Sequence, residues 1–324
     1  MCSSQQLATP EQTTVLHRST HISRPPSPSR RCLSTSEMET PLDPSLTRHW
    51  TNVEKVAEGT YQGKCVAPRA DGRVFGGHVL AQSLAAAYDS APEGFALDST
   101  HCYFIRGGDE KVTIIYNVKT IRNGRSFAIR FVEALQNSNV IFMAQFSFQK
   151  RTSFSSVTMT PTFPSVPPPE SLETEASRWI LRMSPQLEVR PCDPAVYKKQ
   201  KSATKQCIWM RYRVPVDQND SKLSHSTLAY MSDICMGDTG TIFFPKGTKI
   251  NLLTSMDHSL WLHRDRFDVN EWILYEQECS AYSRNRSIIH GRLWSRDGRL
   301  LMSTSQEALV YTDGNGPGAP ASKL

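Results

Sequence analysis

The sequence predicts an α+β protein of two similar halves, in each of which an antiparallel sheet wraps around one helix. Three observations lead to this prediction: each half has one segment with helical spacing of apolar residues, this segment precedes alternating apolar runs joined by short turns, and the order repeats. The chain has 324 residues, of which 39% are hydrophobic and 21% charged. This composition supports a sizeable core and excludes wholesale disorder.

The first half begins with Phe75-Gly76-Gly77, followed by a segment whose apolar residues have helical spacing and whose alanines favour a helix over 78–88. A short run at 101–106 follows. Three alternating runs then predict strands, at 112–121, 125–136 and 140–149. The turn between the first two contains Asn123-Gly124, and Asn-Gly between such runs is typical of a hairpin.

The second half repeats this order. Residues 228–233 are typical of a helix, a short run follows at 258–263, and three strands are predicted at 272–282, 287–294 and 300–311. His101 and His258 occupy comparable places and are 258 − 101 = 157 residues apart, about the length of one domain. This spacing indicates a duplicated domain and excludes a solenoid.

A helix followed by a meander closes a core only if the sheet curls around the helix, and joining two such sheets edge to edge hides exposed strand edges. This is the architecture of a double hotdog. The predicted boundaries are an N-terminal hotdog domain at 49–150, a Pro-rich linker with a short helix within 170–183 at 151–205, and a C-terminal hotdog domain at 206–312 that carries the catalytic residues.

The two ends differ from the rest of the chain. Residues 1–48 are rich in Ser, Thr, Pro and Arg, which predicts a disordered tail; an organelle presequence, giving a second destination, and an overextended gene model are the alternatives. The flexible tail at 313–324 ends in Ser322-Lys323-Leu324. A terminal Ser-Lys-Leu is the signal read by the peroxisomal import receptor, so we expect a peroxisomal protein.

Charge and cysteine content exclude several classes. The net charge of +6 is scattered without a basic stripe, so we expect no nucleic-acid partner. No stretch approaches the ~18 apolar residues of a membrane span. The 8 cysteines form no CxxC pair and no Cys/His metal spacing. We therefore expect reduced thiols in an intracellular protein, with neither zinc nor a disulfide framework.

Eight short motifs, in order over about residues 50–312, resemble the type II acyl-CoA thioesterases, and most closely the peroxisomal members. They are 73–82 (RVFGGHVLAQ), 101–109 (HCYFIRGGD), 121–127 (IRNGRSF), 146–149 (FSFQ), 230–233 (YMSD), 256–264 (MDHSLWLHR), 270–275 (NEWILY) and 303–307 (STSQE). The resemblance implies a double hotdog that hydrolyses fatty acyl-CoA to free fatty acid and CoA in peroxisomal lipid metabolism. It also implies a homodimer and no cofactor, since CoA is part of the substrate.

The residues leave one route to this hydrolysis. No Gly-x-Ser-x-Gly motif exists, which excludes an α/β-hydrolase serine, so a water held by a carboxylate and polar groups attacks the thioester. The resemblance transfers the water-holding set to Asp233 as proton acceptor, Ser255, where bacterial relatives have Thr, and Gln306. The Gly76-Gly77 turn is, by analogy, a candidate source of backbone donors for the oxyanion.

Two other functions stay open. His78 at the start of the first helix would favour a hotdog enoyl-CoA hydratase or dehydratase, although no acidic partner has the spacing of that family. His78 and Gln82 are more simply remnants of a duplicated site or satisfied polar residues at the domain interface. A non-catalytic acyl-CoA-binding protein is the third hypothesis. Asp257 and His258 are neighbours in a strand and point to opposite faces, so at least one of them has a structural role.

Overall fold

A computed structural model describes residues 51–65, 72–151, 157–175 and 184–313. These residues form thirteen strands, four α-helices and one 3-10 turn, Pro169–Ser171. The strands are β1 (Glu54–Ala57), β2 (Thr60–Gly63), β3 (Phe95–Phe104), β4 (Ile114–Asn123), β5 (Phe127–Gln136), β6 (Asn139–Lys150), β7 (Leu187–Pro191), β8 (Lys205–Tyr212), β9 (Ile250–Ser255), β10 (Asp257–Leu262), β11 (Ile273–Ser283), β12 (Arg286–Ser295) and β13 (Leu300–Thr312). The helices are α1 (Gly76–Ser90), α2 (Pro194–Tyr197), α3 (Ser221–Ser232) and α4 (Met236–Thr239).

The strands form one antiparallel sheet whose order reads the same outward from its centre in both directions. The order is β1-β2-β4-β5-β6-β3-β10-β13-β12-β11-β8-β7, and β9 pairs with β13. The two halves meet at β3 and β10, where His101 lies opposite Ser259. Each half therefore contributes the same succession of strands, and the predicted edge-to-edge junction is confirmed.

Helices α1 and α3 pack against each other inside the curled sheet. Every residue of α1 from Gly77 to Ala87 is buried, which is possible because small residues let other backbone approach on several sides. At Gly77 an added Cβ would lie 2.7 Å from the carbonyl oxygen of Tyr230 in α3. Only glycine permits this approach. The predicted α+β fold class, a double hotdog, is confirmed.

The three long strands predicted in each half agree with the structure to within two residues, whereas the short run predicted at 101–106 overlaps a strand that begins at Phe95. The hairpin turns vary. Asn137-Ser138 and Arg284-Asn285 have positive φ at both residues (48° and 63°, 51° and 62°), as a type I′ turn requires. The Asn123-Gly124 turn is wider than the dipeptide predicts, because β5 begins only at Phe127, whose carbonyl accepts a hydrogen bond from the Gly124 N–H.

The second helix begins earlier than predicted. Its first turns contain Ser, Thr and His, which give no apolar periodicity, yet Ser224 to Thr227 are buried. Asp220 caps its start by accepting from the Leu223 N–H. The helix ends at Ser232, so that Asp233 is its C-cap.

The stretch expected to be a linker contributes to the second sheet. Strand β7 pairs with β8, and α2 follows it, so the sheet of the second half starts at Leu187 and not at 206. The prolines of this stretch are typical of a linker, so the strand was not predicted. Proline is tolerated on an edge strand, however, and β7 lies at the edge of the sheet. Of the short helix expected within 170–183, Pro169–Ser171 forms one 3-10 turn and 176–183 lie outside the described residues.

Both tails fall almost wholly outside the described residues. This applies to 1–48 and to 314–324, with Ser322, Lys323 and Leu324. In the described part of the chain, the longest helix has 15 residues, and none is long and apolar enough to cross a membrane. Six cysteines in this part are free thiols, Cys65, Cys102, Cys192, Cys207, Cys235 and Cys279.

Candidate active site

A pocket of about 610 Å³ receives side chains from both halves of the molecule. The first half provides the start of α1, with Phe75 and Gly76, and the loop after β3. The second half provides Asp233 and Ser255. The volume lies in the range of small-molecule sites, and two of the three predicted catalytic side chains line it.

Asp233 is held at the pocket by the helix of the opposite half. It is 7% exposed, and its Oδ2 accepts a hydrogen bond of 2.8 Å from the Gly77 N–H. Helix α1 has no side-chain cap of its own, because its N-cap residue is Phe75. The carboxylate therefore satisfies a backbone donor of the first turn, where the helix dipole also favours negative charge.

Ser255 and Gln306 lie on neighbouring strands. Ser255 ends β9 opposite Ala308 of β13, which makes Gln306, two residues earlier on β13, its diagonal neighbour. The Gln306 Nε2 donates to the Ser255 Oγ at 2.7 Å. Gln306 is 1% exposed, so its amide acts on the pocket through Ser255.

His258 is a buried member of this network that the sequence did not assign to the site. Its Nδ1 lies 2.6 Å from the Gln306 Oε1 and its Nε2 lies 2.9 Å from the Ser232 Oγ. Burial lowers its pKa to about 4, so the imidazole is neutral near pH 7. A signal was available: His258 shares a strand face with Leu260, which predicts an inward side chain.

Asp257 points the other way, as the alternation predicts. Its Oδ1 accepts from the Glu307 N–H at 2.7 Å and so holds β13 against β10. Burial raises its pKa. Asp257 and His258 are not an acid-base pair, because they lie on opposite faces of the strand.

The Gly76-Gly77 turn differs from the expected source of oxyanion donors. The Gly77 N–H donates to the Asp233 carboxylate, so this donor is occupied by Asp233. At Gly76 an added Cβ would lie 2.7 Å from the Phe104 ring and 2.8 Å from the Asp233 Oδ2. Both glycines permit close approach around the carboxylate.

His78 and Gln82 lie away from this pocket. The His78 Nε2 and the Gln82 Nε2 both contact the Lys64 carbonyl oxygen, at 3.1 and 3.2 Å, and the Tyr116 hydroxyl donates to the Gln82 Oε1 at 2.6 Å. Both side chains are buried. They tie α1 to the end of β2, which is a structural role.

The remaining walls of the pocket differ in character. Its lining combines two cationic side chains, Arg73 and Arg106, with these apolar ones: Val79, Phe104, Ile141, Phe142 and Leu253. A ligand with an anionic end and an apolar end fits such a surface.

Comparisons with known proteins agree with this geometry. The family model described as "Acyl-CoA thioesterase N-terminal domain" matches residues 66–149, and that described as "Acyl-CoA thioesterase C-terminal domain" matches 161–310. The chain is similar to acyl-coenzyme A thioesterase 8 of Mus musculus, with 34% identity over 80% of this chain and 87% of that protein.

Two further proteins extend the likeness. Peroxisomal acyl-coenzyme A thioester hydrolase 1 of Saccharomyces cerevisiae is 25% identical over 75% of this chain and 87% of that protein. The crystal structure of the acyl-CoA thioesterase II TesB2 of Mycobacterium marinum superimposes with a TM-score of 0.70 at 27% identity, covering 85% of this chain and 100% of that one. The chain therefore belongs to the type II acyl-CoA thioesterase family, whose members hydrolyse acyl-CoA thioesters.

Proposed function

We propose that this enzyme hydrolyses fatty acyl-CoA in peroxisomes through a water that Asp233 and Ser255 hold, with Gln306 orienting the Ser255 hydroxyl. One observation carries the proposal: Asp233 and Ser255 line the same pocket, and Gln306 is hydrogen-bonded to Ser255. The three residues come from the C-cap of α3, from β9 and from β13, so folding alone brings them together.

In the proposed reaction, the water oxygen attacks the thioester carbonyl carbon as Asp233 accepts one water proton. The new C–O bond produces a tetrahedral intermediate. Its collapse breaks the C–S bond, and the CoA thiolate leaves as the fatty acid forms, with the proton passing from Asp233 to the sulfur. General-base assistance of this kind contributes typically ~10²–10⁴-fold. The reaction draws on no metal and no cofactor.

The substrate is proposed to lie with its CoA phosphates toward Arg73 and Arg106 and its acyl chain along Phe104, Phe142 and Leu253, all of which line the pocket. Guanidinium groups pair well with phosphate oxygens. In this proposed pose the thioester would lie beside Asp233.

The test is release of free thiol from medium- and long-chain acyl-CoA by the wild type and Asp233→Asn. We expect the variant to lose at least a hundredfold in kcat, because its amide accepts no proton. Asp89→Asn is the matched control. Asp89 lies in the last turn of α1, forms an ion pair with Lys222 and does not line the pocket. An Asp233→Asn enzyme as fast as Asp89→Asn contradicts the proposal.

The peroxisomal location is supported by Ser322-Lys323-Leu324 and by the name of the yeast relative, a peroxisomal acyl-coenzyme A thioester hydrolase. A fluorescent protein fused before residue 1 should enter peroxisomes, and removal of the last three residues should abolish this entry. A second fusion, in which residues 1–48 alone precede the fluorescent protein, tests the N-terminal tail for a second destination. If this fusion is distributed like the fluorescent protein alone, the tail carries no such signal.

The assembly is proposed to be a homodimer, as the family resemblance implies. Light scattering should then report twice the chain mass of 36.5 kDa. A mass of one chain contradicts the dimer and leaves the proposed chemistry unaffected.

A further inference from the structure

His258 is a fully buried titratable side chain to which the reaction above assigns no role. It is 0% exposed. Through Gln306 it contacts β13, and through Ser232 it contacts the last residue of α3, next to Asp233. One imidazole therefore connects the two elements that carry the predicted base and the predicted amide.

The hydrogen bonds of His258 link the position of its proton to the orientation of the Gln306 amide. The Gln306 Oε1 is a carbonyl oxygen and only accepts, so the Nδ1 at 2.6 Å must carry hydrogen. The neutral ring has one N–H, so its Nε2 accepts from the Ser232 hydroxyl at 2.9 Å. The opposite tautomer would let Ser232 donate to the Ala229 carbonyl oxygen at 2.7 Å, and it would require the Gln306 amide to be reversed.

The Nδ1–H tautomer and this orientation of the Gln306 amide require each other, so a change in one reverses the other. With its oxygen on His258, the amide turns its nitrogen toward Ser255 and donates to the Ser255 Oγ at 2.7 Å. The Ser255 oxygen is then an acceptor within the protein, and its hydrogen is available to the pocket that Ser255 lines. With a reversed amide, the Ser255 hydroxyl would donate to the Gln306 oxygen. Only the lone pairs of the Ser255 Oγ would then face the pocket.

We propose that His258 is a positioning residue that sets the direction of the hydrogen bonds running through Gln306 to Ser255, so that Ser255 donates to the attacking water. The inference rests on the proposed function. A water that accepts from Ser255 and donates to Asp233 keeps one lone pair for the thioester carbonyl carbon. His258 thus acts on the orientation of the water without touching it.

Three substitutions separate this role from packing. In His258→Asn the side-chain amide places an N–H near the position of Nδ1, so kcat should stay within about fivefold of the wild type. His258→Leu removes the donor and should lower kcat about 10–100-fold with KM little changed, since small misplacements cost up to about 10²-fold. His258→Asp places an acceptor against the Gln306 oxygen and should be slowest. A residue needed only for packing would give the reverse order for Leu and Asn.

Three further measurements accompany these substitutions. Each variant is first shown to melt cooperatively. The ¹⁵N spectra of histidine-labelled wild type should show a neutral buried ring in the Nδ1–H form, and the Nε2–H form overturns the proposal. His258→Leu combined with Gln306→Ala should be no slower than Gln306→Ala alone, because both act along one path. Additive losses also overturn it.

The outcomes for His258 and for the proposed function are distinct. If Asp233→Asn is inactive while His258→Leu keeps the wild-type kcat, only the positioning role fails. If Asp233→Asn is fully active, the held-water mechanism fails regardless of His258.

Discussion

Asp233, the C-cap of one central helix, provides the side-chain cap that the other central helix lacks: its Oδ2 accepts from the Gly77 N–H at 2.8 Å across 156 residues of sequence. The contact joins the two halves of the molecule at the pocket. It also makes the orientation of the carboxylate depend on how closely α1 approaches α3, and that approach depends on Gly77.

Gly77→Ala should therefore damage stability and activity together. The new Cβ would lie 2.7 Å from the Tyr230 carbonyl oxygen, a backbone atom that yields only if the helices separate. We expect about 1–3 kcal/mol loss in the free energy of unfolding and at least a tenfold fall in kcat, measured by urea unfolding and thiol release. Gly237→Ala is the control, since Gly237 lines the same pocket but its Cβ would meet only Leu253, at 3.6 Å. Equal behaviour of the two variants would contradict this account.

Ser255 should be replaceable by threonine and not by alanine. Ser255→Thr retains the hydroxyl and is compatible with its position in β9, so kcat should change by only a few fold. Ser255→Ala removes the donor that faces the pocket, and loss of one positioned donor costs about 10²–10³ in kcat. Steady-state kinetics with one acyl-CoA decides the matter; a Ser255→Ala enzyme as active as Ser255→Thr shows that the hydroxyl is not used.

The sequence predicts those parts of this molecule that depend on local pattern. Alternation predicts the long strands, because each has one face on the core. The turn at Asn137-Ser138 is predicted by its composition, because Asn tolerates positive φ. Family motifs predict Asp233, Ser255 and Gln306 as a set. The sequence alone does not predict the cap that Asp233 provides to Gly77, because no local pattern links two helices so far apart in the chain.

Other features escaped prediction for different physical reasons. Strand β7 is short, lies at an edge and ends in Pro191, so its composition resembles a linker. The first turns of α3 are polar and yet buried. Among their side chains, His225 accepts from the Tyr88 hydroxyl at its Nδ1 and contacts the Asp265 carbonyl through its Nε2. A polar group satisfied in this way within a core cannot be distinguished from an exposed one by hydropathy.

Arg73 and Arg106 should act on the CoA end of the substrate alone. Replacing either by alanine should raise KM for acyl-CoA about tenfold, the equivalent of 1.4 kcal/mol, with kcat nearly unchanged. The same acyl group on pantetheine, which lacks the phosphates, should show no change in KM. Lys119→Ala, on the exposed surface of β4, controls for net charge. If KM rises equally for both substrates, the arginines do not contact the phosphates.

Stability should fall as the pH drops below 6.5, before most carboxylates titrate. Burial lowers the pKa of His78, His225 and His258 from 6.5 to about 4. Between these values the unfolded chain binds protons that the folded protein excludes, so the free energy of unfolding decreases with falling pH. At pH 5 the loss is about 2 kcal/mol per histidine. Urea unfolding at pH 8, 6.5 and 5 measures it: His225→Gln should remove about one third of the loss, whereas His101→Gln, at an exposed position, should leave the loss unchanged. A wild-type profile that is level from pH 8 to 5 would mean that these imidazoles take up protons without unfolding the chain.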